Sequence, residues 1–234
     1  MRLPSLTLAA AGAALIAPAA LPAPATAVPP RERQVARSEG AVAAAELLAR
    51  TDACTRVSKG RYRTDAGSAP AVPVCGTRDA VFWKADLDID CDGRPTARCN
   101  RRTDPYFGAA TAFQQYDGRH LDAERLPYIV VPAPSRRWDH REHGVRGGSV
   151  AAVVYRDRVQ YAVVGDTGPS DIIGEASYAT ARRLGIPADP RSGGADAGVT
   201  YIVFRDSGAG PIEDHAAAVA AGERLARLFV DEDD

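Results

Sequence analysis

The chain lacks an excess of either charge: 29 basic residues stand against 30 acidic ones over 234 residues, a formal net charge of -1. That balance excludes the broad electropositive footprint of a nucleic-acid binder. Several catalytic and metal signatures are missing too. No G-x-S-x-G elbow occurs, because "GGSVA" around Ser149 fails at the second glycine, which argues against a serine hydrolase of that type. No glycine-rich loop ends in Gly-Lys-Ser or Gly-Lys-Thr to cradle phosphate. His140, Glu142 and His143 in "WDHREHG" fit neither H-E-x-x-H nor H-x-x-E-H, so this segment reads as a charged surface loop. Asp88-x-Asp90-x-Asp92-Gly93 copies the start of an EF-hand loop, but its twelfth position is Cys99 where that loop needs a bidentate Glu.

An uninterrupted apolar run of about 20 residues, as a membrane span requires, is also lacking. Pro18, Pro22 and Pro24 break the only candidate, which follows Met1-Arg2 and closes on Ala25-Thr26-Ala27. Residues 1–27 therefore read as a secretory signal cleaved after Ala27, with no membrane association afterwards. Export puts the cysteines in a disulfide-permissive setting, and four cysteines allow three pairings. The expected pairs are Cys54 with Cys75 and Cys91 with Cys99, each closing a short loop. Paired C-x-x-C motifs are absent, so zinc is disfavoured, and four half-cystines leave no nucleophilic thiol.

What the chain does contain is enough for one domain. Residues 28–45 read as a polar, proline-led arm, 46–230 as a single catalytic domain, and 231–234, "DEDD", as an acidic tail. "AVAAAELLAR" (41–50) predicts a short helix. Runs of β-branched and apolar residues predict strands in "AVFWKADLDID", "LPYIVVP" and "GVTYIVF", and a hairpin in "VAAVVYRDRVQYAVVGD" turning near Arg156-Asp157-Arg158. Ser177 is placed to cap a helix over "YATARRLG", with Gly185 and Pro187 as stops. A last helix covers "EDHAAAVAAGERLARLF", with Ala217, Leu225 and Leu228 expected to face the body. The fold class is mainly β with short flanking helices.

Two acidic features stand out. In "VVGDTGPSDIIGEAS", Asp166 ends a strand, Gly168-Pro169 turns the chain, and Glu175 precedes the helix cap, so both acids can border one groove. Glycoside hydrolysis needs such a pair, one carboxyl to protonate the leaving oxygen and one carboxylate to activate water or attack. Ordinary turn chemistry and a helix-dipole contact would place the same residue types here. In "KADLDIDCDG", strand alternation puts Asp86, Asp88 and Asp90 on one face. Three neighbouring anions repel unless something cationic neutralises them, so a polycationic ligand or a bound cation is expected there, or local arginines. Trp138, and also Trp83, Tyr128 or Tyr178, could stack on a sugar, although core packing is the commoner fate of an aromatic.

"FWKADLDIDCDG", a nearby "CN", "LPYIVVP" and "YAVVGDTGPSDIIGEASYATARRLGI", in this order, resemble the chitosanases of glycoside hydrolase family 75, over about Ala80 to Phe204. The resemblance implies endo-hydrolysis of the β-1,4 bonds of chitosan with inversion and without a cofactor; with the signal segment, a secreted monomer acting on chitosan or glucosamine oligosaccharides is expected, with no residue assigned to a metal. It carries the two catalytic acids onto Asp166 and Glu175; the acidic Asp86, Asp88 and Asp90 face, able to meet the ammonium groups of such a substrate, and Trp138 and Thr167 are expected as substrate contacts beside them. An inverting pair is expected to lie about 6.5 to 9.5 Å apart, with Glu175 as acid and Asp166 as base, or the roles exchanged. The same stretch resembles double-psi β-barrels of rare-lipoprotein-type lytic transglycosylases and barwin-like proteins, which implies a small closed barrel. It also leaves two alternatives: a peptidoglycan lytic transglycosylase, or a non-catalytic barwin- or expansin-like polysaccharide binder. Where those proteins usually carry Asp-Leu-Ser, this chain has Glu175-Ala176-Ser177.

Overall fold

The runs rich in valine, isoleucine and aromatics become strands, and the polar, glycine- and proline-rich stretches between them become loops, in a computed structural model that describes residues 38–231. The expected signal segment, the arm up to residue 37 and residues 232–234 lie outside the described residues. In chain order the elements are α1 (Ala44–Ala49), β1 (Cys75–Gly76), β2 (Ala80–Asp90), β3 (Tyr128–Pro132), β4 (Val150–Tyr155), β5 (Arg158–Gly168), β6 (Glu175–Ser177), α2 (Tyr178–Leu184), β7 (Ala195–Phe204) and α3 (His215–Asp231). Six strands close a ring in the order β2-β6-β3-β5-β4-β7 and back to β2, while β1 pairs with the start of β2. The expected small closed barrel is thus what the chain forms, and closure removes the exposed edges an open sheet would carry.

Alternation along the strands sorts side chains to two faces. Trp83, Ala85, Leu87, Ile129, Val131, Val153, Val164, Ala176 and Tyr201 fill the inside of the ring. Phe82, Val130, Val154, Tyr161, Ile202 and Phe204 face outward and are covered by helical residues such as Leu47, Ala218 and Phe229. Phe229, 1 % exposed, meets Phe204 edge to face with centroids 6.0 Å apart; burying such a ring contributes on the order of 2–3 kcal/mol. Ser177 caps α2 by accepting from the Thr180 backbone N–H at 3.2 Å, and Gly185 ends that helix in the left-handed region, as the sequence predicts. Both expected disulfides are present, Cys54–Cys75 and Cys91–Cys99.

Four local expectations are corrected. Residues 38–45 do not behave as an arm: the Glu39 backbone N–H donates to the Val159 carbonyl at 2.8 Å, and Val42 and Ala44 enter the core. The buried stripe of α3 is Ala218, Ala221, Gly222, Ala226 and Phe229, leaving Leu228 60 % exposed and Ala217 outside the stripe. The same helix runs on through Asp231, so that residue does not belong to a tail. The "WDHREHG" segment is not a simple surface loop either, since Trp138 and His140 are buried.

Candidate active site

The site is laid out by register. In the parallel β2–β6 ladder Asp88 lies opposite Glu175 and Asp90 opposite Ser177, and β3 lies beside β6 with Ile129 opposite Ala176. Pairing of β3 with β5 then jumps from Ile129–Val164 to Val130–Asp166, two residues of β5 against one of β3. Val164 points into the ring, and strict alternation would send Asp166 there too. The bulge at Gly165 turns Asp166 onto the outward face instead, the face that Val130 occupies. Asp90, Glu175, Val130 and Asp166 therefore stand on four consecutive strands.

These side chains line one cavity of about 420 Å³ together with Ile89, Asp92, Asp104, Tyr106, Thr167 and Gly168. Gly168 matters by its bareness: a Cβ there would lie 2.6 Å from Glu175 Oε2 and 3.2 Å from Val130 Cγ1. The loop after β2 supplies the opposite wall. Cys91–Cys99 ties its start, Asp92 Oδ1 accepts from the Gly108 N–H at 2.7 Å, and Asp104 Oδ1 accepts from the Tyr106 N–H at 2.8 Å. This loop leaves the Tyr106 ring 92 % exposed on the cavity rim. A second, apolar cavity of about 340 Å³, lined by Ala112, Phe113 and Pro134, shares Thr167 with the first.

The two acids of the glycine-proline motif have different surroundings. Asp166 is 7 % exposed, and its Oδ1 accepts from the backbone N–H groups of Ala112 and Thr167, each at 2.7 Å. Burial raises its pKa, opposed by those two donors and by His120. The Glu175 carboxylate accepts no hydrogen bond from a described residue. Burial above all, then the Asp88, Asp166 and Asp92 charges, push Glu175 up to about 7. Burial likewise raises Asp90 well above its ordinary value and Asp92 to about 6. Donors and charge therefore favour an ionised Asp166 beside a Glu175 that keeps its proton near neutrality.

Not every expected contact reaches this cavity. Of the acidic β2 face, only Asp90 lines it; Asp86 is 5 % exposed, and it and Asp88 group with Asp65 instead. Burial, then the Asp88 charge, raise Asp86 to about 7. Trp138 is 3 % exposed and packs edge to face on Trp83, with centroids 6.3 Å apart, so it offers no face to a sugar. Trp83 and Tyr128 are buried as well. Asp104 and Tyr106 were not singled out from sequence, although an aromatic inside the polar turn "TDPYFG" was the available signal.

A family model described as fungal chitosanase of glycosyl hydrolase group 75 matches residues 87–226, more than half of the chain. An endo-chitosanase of Aspergillus fumigatus is 31 % identical over 141 residues, covering 55 % of this chain and 59 % of that protein. Endo-chitosanase B of Aspergillus oryzae is 33 % identical over 135 residues, covering 54 % and 56 % respectively. The chain thus spans little more than half the length of the curated relatives it matches. With its barrel, its acid-lined cavity and this match, the chain belongs to the glycosyl hydrolase group 75 chitosanase family.

Proposed function

We propose that the protein is a secreted endo-chitosanase that hydrolyses the β-1,4-glucosaminidic bonds of chitosan with inversion. The observation that carries this reading is the pairing of Asp166 and Glu175 in one cavity with opposite hydrogen-bonding environments. Glu175, without a donor and raised to about 7, is the general acid that protonates the leaving glycosidic oxygen. Asp166, held by two N–H groups, is the general base that takes a proton from the attacking water on the other face of the sugar. Water adds to the anomeric carbon as the glycosidic bond breaks. The proton from Glu175 goes to the leaving sugar and the proton from water to Asp166.

The substrate class is supported by the surrounding charge. Asp90, Asp92 and Asp104 line the same cavity, and the first two are poorly stabilised as anions. An entering glucosamine ammonium would stabilise their charged forms through charge-assisted hydrogen bonds. Tyr106 on the rim supplies a sugar-stacking face, and the adjoining cavity across Thr167 extends the groove as an endo-acting enzyme requires. Two disulfides are in keeping with an exported protein.

The test is proton NMR of chitosan digestion with the wild type, Asp166→Asn and Glu175→Gln. The wild type should release α-anomer first, and each variant should lose ~10²–10⁴-fold in kcat while remaining folded. Early β-anomer would overturn inversion. Near-normal turnover by either variant would remove that residue from the mechanism.

A further inference from the structure

The acidic cluster left outside the active-site cavity has a built character of its own. Oxygens of Asp65, Asp86 and Asp88 lie within 4.8 Å of one another. Asp86 is 5 % exposed, its carboxylate is turned into this cluster, and its Oδ1 is buried without a hydrogen-bond partner. Among the described residues no lysine, arginine or histidine forms an ion pair with any of the three; Arg63 pairs with Asp171 and Lys84 with Asp52. A buried, unpaired carboxylate costs several kcal/mol as an anion, and is relieved either by taking up a proton or by a cation that meets it.

The surrounding backbone holds this arrangement in place. Gly174 has φ +121°, and a Cβ there would sit only 1.9 Å from Asp86 Oδ1, so glycine alone leaves room for the carboxylate. The Asp65 turn is closed by its own N–H to Ser68 Oγ at 3.1 Å, and the loop is stitched to the segment leading into β6 by Arg63 N–H to the Asp171 carbonyl and Ile173 N–H to the Arg63 carbonyl, both 3.0 Å. Two separate stretches of chain thus converge three carboxylates on one point.

The geometry points to a calcium site formed by Asp65, Asp86 and Asp88, distinct from the catalytic pair. Only oxygen ligands are offered, which selects a hard cation, and two of the three acids are exposed, which leaves room for the waters that complete six to eight ligands. Calcium tolerates ligands from a loop and a strand with irregular angles better than magnesium, which demands a near-octahedral shell. A sugar ammonium fits less well, because its ring would have to follow the nitrogen down to a carboxylate below the surface. A bound ion here would clamp the Asp65 loop against β2, and it is independent of the chitosanase reading.

The test uses the full exported chain, stripped with chelator and dialysed, and reads binding rather than activity. Calcium chloride should bind with one-site stoichiometry by calorimetry and raise the melting temperature. Terbium should show luminescence on aromatic excitation, because the Tyr201 hydroxyl donates to the Asp86 backbone carbonyl at 2.9 Å and the Tyr201 ring stacks on Trp83. Asp86→Asn should abolish the calcium response, and Asp65→Asn, at an exposed loop position, should weaken calcium affinity at least ~10-fold. Absence of any calcium response overturns the site. So does a response that persists in both variants, or stabilisation by glucosamine hydrochloride in place of calcium.

Discussion

The backbone N–H of Ala112 donates to Asp166 Oδ1 at 2.7 Å across 54 residues of sequence. This bond ties the long loop between β2 and β3 to the end of β5, and it supplies half of the hydrogen bonding that keeps Asp166 anionic. Glu175, on the same outward face, receives no comparable donor among the described residues. The asymmetry between two acids of one motif is therefore made by backbone placement rather than by residue type.

That asymmetry fixes the direction of the pH response. Glu175, raised to about 7 mainly by burial, is protonated and competent as an acid below that value and loses its proton above it. Asp166, raised from 3.8 by burial, must be ionised to act as a base, so activity falls again in acid. With a glucosamine oligomer and no added divalent ion, kcat/KM should drop about tenfold per pH unit above about 7. A profile that stays flat over roughly pH 6 to 9 would exclude Glu175 as the acid.

Tyr106 should act on binding and not on bond cleavage. Its ring is 92 % exposed at the cavity rim while its backbone is held by Asp104. Losing a stacking face of this kind costs about 1–2 kcal/mol, so Tyr106→Ala should raise KM for chitosan roughly 5- to 30-fold with kcat within about twofold. Tyr106→Trp should retain the wild-type KM. An unchanged KM in the alanine variant would place the ring outside the bound chain.

Much of this was legible in the sequence because it is local. Strand 80–90 opens on an apolar run and then alternates acid with apolar residue, strand 128–132 is apolar throughout, and the proposed catalytic pair sits inside one contiguous motif. What was not legible depends on distant contacts. Asp86, Asp88 and Asp90 alternate identically, yet only register and the approach of the Asp65 loop divide them between the cavity and the cluster with Asp65. Trp138 sits among charged residues and glycines, and only its contact with Trp83 reveals it as core. In α3 the abundance of alanine leaves the hydrophobic phase weakly marked: Leu225 packs against the core as expected, whereas Leu228 and Ala217 fall outside the buried stripe.

Residues 38–45, the described end of the segment that composition assigned to a mobile arm, are anchored by the charge of Glu39. Glu39 meets His215 Nε2 at 2.8 Å, Arg183 at 3.0 Å and the Tyr161 N–H at 3.1 Å. Burial works against its charge, but His215, Gln160 and Tyr161 outweigh it, and the net pKa lies below 4.5. A carboxylate depressed in the folded state contributes stability above its unfolded value of 4.5, and that contribution is lost as pH falls through the folded value. Glu39→Gln should therefore destabilise the protein by about 1–3 kcal/mol near neutrality, with the difference from wild type shrinking in acid. Denaturant melts at both pH values would measure this, and equal stability of the two proteins near neutrality would mean the cluster contributes nothing net.

Gly168 separates positioning from chemistry at the active site. An added methyl would lie 2.6 Å from Glu175 Oε2, a flexible side-chain end, and 3.2 Å from Val130 Cγ1. The backbone can stay as it is, because the glutamate terminus can swing away from the methyl. The barrel should thus remain intact in Gly168→Ala, while the acid loses its alignment with the glycosidic oxygen. A misplacement of about 1 Å costs on the order of 10²-fold in rate, so kcat should fall by that amount with the melting temperature within a few degrees of wild type. Since both acids remain ionisable, the activity that survives should keep a bell-shaped pH profile. A full-rate Gly168→Ala enzyme would show that Glu175 acts from a different rotamer than the one that fills this space.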